Sequence, residues 1–293
     1  MNCRVKLTKY VNKGLKMKEK SIDIPMDDGE KTIEQLSEFI KDKVTQSKSA
    51  GVVIGLSGGI DSATTAYLCA RALEKEQILG IIMPTETTSY EDIEDAVTVA
   101  EELGIEYEII AVDDLISPFN ELCMHSVSNK LKNTPSRGLA NANLKARIRM
   151  MILYYHANDL GRMVVGTGNR TELLIGYFTK YGDGGVDILP IGNLYKTEVR
   201  SIAQILGVPE NIIKKAPTAG LWHGQTDEEE LGIRYETLDK LLFLMVDKGL
   251  DDQIIAENLD ISVEEVLRIK NKVQSSKHKL EPAPTPEPDV GSC

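Results

Sequence analysis

The 293-residue chain is short of cysteine, of positive charge and of long apolar runs, and each shortage excludes a class of function. Cysteine stands only at positions 3, 69, 123 and 293, with no Cys-x-x-Cys pair. That argues against structural zinc, an iron–sulfur cluster or a disulfide framework, and for a reducing, cytoplasmic compartment. The longest apolar runs, Gly51–Leu56 and Ile78–Met83, fall far below the ~18–20 residues that span a membrane. Lys and Arg number 34 against 45 Asp and Glu, a net charge of −11, which disfavours nucleic acid and anionic membranes as partners. Neither of the two familiar phosphate fingerprints, GxxxxGK[ST] and GxGxxG, occurs. What remains, 42% apolar and 27% charged residues, is the composition of an ordinary globular chain.

The pattern predicts three parts. Residues 1–29 form a basic, irregular leader with no apolar segment typical of a signal peptide. Residues 30–279 form one domain, and residues 280–293 a proline-rich extended tail. Within the domain, a Thr32/Gln35 capping box opens a helix with Ile33, Leu36, Ile40 and Val44 on one face. Strand-like runs follow at Gly51–Leu56, Ile78–Met83, Ile105–Val112 and Arg162–Gly166, separated by helical periods at Asp61–Leu73, Ser89–Gly104 and Leu139–Asn158. Such alternation predicts an α/β fold: a doubly wound, mostly parallel sheet with helices on both faces. A glycine-rich, polar loop region runs from Gly166 through Gly185, a helix over Lys196–Leu206, and a helical C-terminal extension over Thr226–Lys272.

The sharpest local signal is Ser57-Gly-Gly-Ile-Asp-Ser62, at the junction of a buried strand and a helix. First-turn helix N–H groups lack partners and point at such a loop, where the helix dipole also favours an anion. Gly58 and Gly59 allow close backbone approach, and Ser57 and Ser62 offer hydroxyls. Asp61 suits an anion site only if a cation such as Mg²⁺ joins it.

This loop resembles the pyrophosphate loop of the N-type ATP pyrophosphatases, and later motifs narrow the resemblance to the NAD synthetases. These are Leu144-Lys-Ala-Arg-Ile-Arg-Met150, Gly166-Thr-Gly-Asn-Arg-Thr-Glu172, Gly176-Tyr-Phe-Thr-Lys-Tyr-Gly-Asp-Gly-Gly185, Pro217-Thr-Ala-Gly-Leu-Trp222, Gly224-Gln-Thr-Asp-Glu228 and His278-Lys279. The resemblance implies that Gly55, Leu56, Ser57, Gly58, Gly59, Ile60, Asp61 and Ser62 hold ATP, with Thr167, Lys196 and Thr218. It implies Asp61 and Glu172 as Mg²⁺ ligands, and Asp61, Lys196 and Asp183 as catalytic groups, Asp183 taking a proton from ammonium. Arg147, Lys180, Asp187, His278 and Lys279 would hold deamido-NAD. Taken alone, each position also has a plain reading: Arg147 and Arg149 as a solvated helix face, Glu172 as a dipole-favoured first-turn acid, Trp222 as core. Two departures stand out, Leu280 after Lys279 and the PAPTPEP tail.

The implied reaction is attack of the nicotinate carboxylate on the α-phosphorus of ATP, then capture of the acyl adenylate by ammonia. It needs no protein nucleophile, and no serine or cysteine triad is evident. Met83–Glu91 and Ala216–Glu230 are expected to cover the intermediate. Only about 50 residues precede the first strand, and none of the cysteines has an evident His partner, so free ammonia is the expected nitrogen donor. The family resemblance also implies a homodimer. Two rivals are weighed. A helix-turn-helix regulator over residues 251–274 is opposed by thirteen acids against six bases in Asp227–Lys272. A tRNA-modifying pyrophosphatase is opposed by the absent CxxC pairs and the acidic balance.

Overall fold

A computed structural model describes residues 24, 28–126, 136–218 and 226–286. Four strands, β1 (Val52–Leu56), β2 (Ile78–Ile82), β3 (Glu106–Ile109) and β4 (Met163–Val165), form a parallel sheet in the order β3-β2-β1-β4. Val52 sits opposite Ile78 on one side and Met163 on the other. Chain order therefore reverses between β1 and β4, and in open α/β sheets ligands bind at the carboxyl ends of the strands flanking such a reversal. The loop 57–59 follows β1 and residues 166–169 follow β4, so both motifs open into one crevice.

Period-two alternation sorts the strand residues between two layers. Val52, Ile54 and Leu56 face α1 (Gly29–Ser47), α2 (Ile60–Ala72), α3 (Tyr90–Leu103), α7 (Lys196–Leu206) and α8 (Glu210–Lys214). Val53, Leu79, Ile81 and Val164 face α5 (Ser136–Leu160), beside which lies α4 (Asp113–Ser126). Among the described residues, five helices thus cover one face and two the other. A separate apolar cluster around Leu231, Tyr235, Leu238, Leu241, Ile255 and Ile269 builds a helical layer. It comprises α9 (Asp227–Leu231), α10 (Tyr235–Leu242), a π-helical turn (Phe243–Asp247), α11 (Asp252–Leu259) and α12 (Val263–Leu280), and it packs on α6 (Arg170–Ile175) and α7.

The α/β architecture agrees with the expectation, while several boundaries differ for local reasons. Asp28, not Thr32, caps α1 by accepting from the Lys31 amide, and the Thr32 hydroxyl bonds back to the Asp28 carbonyl. Aspartate is the stronger cap, and a threonine in the first turn can satisfy itself this way. Ser89 and Gly104 bound α3 as expected, by side-chain capping and a left-handed stop. The third strand is four residues long rather than eight, a largely exposed edge. The loop region after Gly166 contains α6, opened by a reciprocal Asn169/Glu172 capping box. The extension 226–272 is broken by left-handed residues at Gly232, Gly249 and Asp260, and Thr226 and Ser262 do cap helices. Helices α4, with Pro118 inside it, and α8 were not foreseen. Nearly all of the leader, Trp222 and the last seven residues lie outside the described residues. No helix among the described residues is long and apolar enough to cross a membrane.

Candidate active site

Gly59 occupies the cap position of α2 and has no side chain to close it, so the first-turn amides face the crevice without a side-chain cap. Gly58 adopts φ +75°, and a Cβ there would lie 2.1 Å from the Asp92 carbonyl oxygen. The first turn of α3 therefore presses directly on the phosphate loop. The two serine hydroxyls meet at 3.0 Å. Ser62 is buried, accepts from the Ser57 amide at 3.2 Å and donates to the Gly59 carbonyl at 2.9 Å, so it ties the loop together. Of the two, Ser57 is exposed and Ser62 buried.

Three parts of the sequence converge next to this loop. Asp61 lies in the first turn of α2, Glu172 in that of α6 and Lys196 in that of α7. Lys196 is only 2% exposed, and its ammonium pairs with Asp61 Oδ2 and lies 3.5 Å from Glu172 Oε1. It also sits 5.3 Å over the Tyr235 ring. Burial alone would depress the lysine pKa, but the two carboxylates overcome it and hold the ammonium charged well above its ordinary range. Glu172 shifts upward, because burial and the neighbouring Asp61 charge outweigh the lysine. Asp227, held by the hydroxyls of Tyr177 at 3.2 Å and Tyr235 at 3.1 Å, adds a third carboxyl to this field. Burial raises its pKa.

Asn169, within the Gly166–Glu172 motif, links the set. Its amide donates to Asp61 Oδ1 at 3.0 Å, while its carbonyl oxygen accepts from the Glu172 N–H. The N-cap signal Asn169-x-x-Glu172 was readable; its second job, gripping Asp61 across 108 positions, was not. The two carboxylates beside Lys196 carry the hard oxygen donors that a divalent metal needs.

A second cluster gathers most of the residues expected on deamido-NAD. Arg147, on the exposed face of α5, donates to the Lys180 carbonyl at 3.3 Å. Lys180 Nζ donates to the carbonyls of His278 and Glu281, and Lys279 Nζ to those of Gly176 and Phe178 at 2.6 and 2.8 Å. Asp183 accepts from the Thr179 amide and lies in the fields of Arg149 and Lys279. It shares no hydrogen bond or ion pair with Asp61, Glu172 or Lys196, so the structure groups it with the second cluster. Asp187 sits apart, accepting from the Tyr154 hydroxyl and the Val164 amide at the sheet edge. Thr167 is half-buried after β4, and Thr218 is exposed where the described segment ends. Of the two expected covers, 219–225 lies outside the described residues. The other is held by Thr85, Thr87 and Thr88 hydroxyls and by Glu86 N–H on Asp113. Cys69 is buried and its thiol pushed up to about 12, far from nucleophilic use.

With this geometry in view, the comparisons decide the family. The family model for NAD synthase matches residues 32–283. The chain belongs to the NAD synthase family. The NH(3)-dependent NAD(+) synthetase of Archaeoglobus fulgidus is 51% identical over 256 residues, 87% of this chain and 96% of that protein. Among solved structures, an NMN synthetase from Francisella tularensis has a TM-score of 0.76 at 35% identity, covering 88% of this chain and 98% of that one. An NH3-dependent NAD synthetase from Campylobacter jejuni has a TM-score of 0.73 at 33% identity, covering 89% and 100%. The family match spans both clusters, from the phosphate loop to His278 and Lys279.

Proposed function

We propose that the chain amidates deamido-NAD to NAD with free ammonia, splitting ATP to AMP and pyrophosphate through an acyl adenylate. The observation that carries this is a buried lysine held between two carboxylates at the end of an uncapped phosphate loop, in a chain about half identical to an NH(3)-dependent NAD(+) synthetase. Loop amides 58–62 and the hydroxyl of Ser57 bind the ATP phosphates, with Thr167 and Thr218 beside them. Asp61 and Glu172 hold the metal, for which we take Mg²⁺; when bound, it offsets the charge that builds on leaving pyrophosphate. Lys196 stabilises the same charge. Two anions must meet in the first step, and fixed positive charge in a buried site lowers that barrier. Arg147, Lys180, His278 and Lys279 cradle the dinucleotide, and Asp183, next to the same loop, receives a proton from ammonium. Asp187 acts by holding β4 against residues 186–188 and helps to shape that wall. The working compartment is the cytoplasm.

The test supplies ATP, Mg²⁺ and ammonium with either deamido-NAD or its mononucleotide acid, the latter because one structural neighbour is an NMN synthetase. NAD and AMP in equal amounts are expected with the dinucleotide, and glutamine in place of ammonium should give none. Faster turnover of the mononucleotide would replace the substrate, and equal use of glutamine would overturn the nitrogen source.

We also infer a homodimer built on the thinly covered face of the sheet. Leu122, Leu139, Met151 and Tyr155 on α4 and α5 are 74%, 65%, 55% and 70% exposed, beside an apolar groove of about 410 Å³. So much apolar surface on one face of a doubly wound sheet needs a cover, and Arg147 on the same helix ties that face to the dinucleotide cluster. Sedimentation is expected to give twice the chain mass of 32.4 kDa, and Met151→Asp the single mass. A wild-type protein that sediments as one chain would sink this inference.

A further inference from the structure

The start of α6 carries Glu172 and the start of α7 carries Lys196, yet neither helix is anchored there by the sheet alone. Two carboxylates from the helical layer reach both. Asp239, fully buried on α10, accepts from the Thr171 hydroxyl at 2.6 Å and from the Thr197 amide at 2.8 Å. The Thr171 hydroxyl in turn accepts from the Lys196 amide at 3.0 Å. Asp247, at the end of the π-helical turn, accepts from the Arg170 guanidinium and from the Tyr195 hydroxyl at 2.7 Å. The Arg170 guanidinium also lies 5.2 Å over the Tyr195 ring. Each carboxylate takes one partner from α6 and one from the start of α7, Thr197 in its first turn for Asp239 and the cap residue Tyr195 for Asp247, and together they flank Glu172 and Lys196.

We infer that Asp239 and Asp247 form a two-point clamp that sets α6 and α7 in register and so positions Glu172 and Lys196 for the reaction. This rests on the reading of the site given above. The spacing of the pair supports it. Positions eight apart on an α-helix point about 80° away from each other, whereas positions seven apart nearly coincide. The wide turn Phe243–Asp247 absorbs about one residue and returns Asp247 to the face that carries Asp239. Tying two helices together needs no buried charge, since apolar residues of like volume usually do it as well. A carboxylate with two acceptor oxygens, by contrast, sets the distance between an N–H on one helix and a hydroxyl on the other.

The test compares Asp239→Asn, Asp247→Asn and, as a control destabilised in the same core, Leu241→Ala. Asparagine keeps the size but can accept from only one of the two donors. Asp239→Asn is expected to lower kcat by about 100-fold, the cost of a misplacement near 1 Å, with KM for ATP within about threefold. Its Lys196 and Thr197 amides should lose hydrogen-exchange protection, and Leu241→Ala at a temperature where it is folded should keep both kcat and that protection. Unchanged kcat and amide protection in Asp239→Asn, or equal losses in Leu241→Ala, would reduce the clamp to a structural tie. If the wild type fails to form NAD, the functional reading falls, while the exchange comparison still decides whether the clamp holds Lys196 in place.

Discussion

Lys196→Met is expected to lower kcat by about 10²–10³-fold, the usual cost of deleting one charge-stabilising donor from a preorganised site. Methionine matches the length of the lysine stem and so separates charge from packing. The ammonium lies between Asp61 and Glu172, with its side chain 3% exposed, so no water or mobile lysine can replace it cheaply. KM for both nucleotides should change less than kcat, because the lysine matters most when negative charge moves onto pyrophosphate. The variant also leaves two half-buried carboxylates facing each other. Without metal it should therefore be less stable, and Mg²⁺ should raise its Tm by more than it raises that of the wild type. Wild-type kcat, or a Tm indifferent to Mg²⁺ in both proteins, would remove Lys196 from the chemistry and the two carboxylates from metal binding.

Gly58→Ala is expected to cost about 2–5 kcal/mol, from a left-handed backbone and from overpacking together. Its Cβ would stand 2.1 Å from a backbone oxygen of α3, and backbone cannot swing aside as a side chain can. Relief requires α3 to retreat from the loop, so KM for ATP should rise as well. For a domain of this size the midpoint should fall by about 5–15 °C. Gly59→Ala is the matched control: φ is −95° and the nearest atom is the Ser57 hydroxyl at 3.3 Å. Thermal melts that fail to separate the two variants would show that the loop does not depend on the contact with α3.

Particular residues show how far the sequence could be read. The loop Ser57–Ser62 was legible because everything that makes it an anion site is local: strand before, helix after, glycines between. Ser89, Thr226 and Ser262 were legible as caps for the same reason. The Thr32 cap was misplaced because an aspartate four residues earlier competes for the same job, and local pattern does not rank the two. The sequence offers Ser62 as a phosphate donor, and only the structure shows that its hydroxyl also bonds to the Gly59 carbonyl, because rotamer and burial are not encoded in residue type. Asp227, Tyr235, Asp239 and Asp247 went unassigned. They sit in an acidic helical stretch that looks, in one dimension, like solvated surface, yet Tyr235 and Asp239 are fully buried.

The sequence by itself determined the alternation of strands and helices, the phosphate loop and the family resemblance, because short-range periodicity and contiguous motifs encode each of them. Only the tertiary structure decided which residues share a charge field. Asp61 and Lys196 are 135 positions apart, and they meet because the sheet order reverses between β1 and β4 and sets the starts of three helices around one crevice. It also decided that the C-terminal helices pack against the starts of α6 and α7, which carry Glu172 and Lys196. Burial strengthens Asp239 as an acceptor, while Asp247 reaches Arg170 and Tyr195 from an exposed position, and both placements are properties of the packed layers that no window of the chain contains.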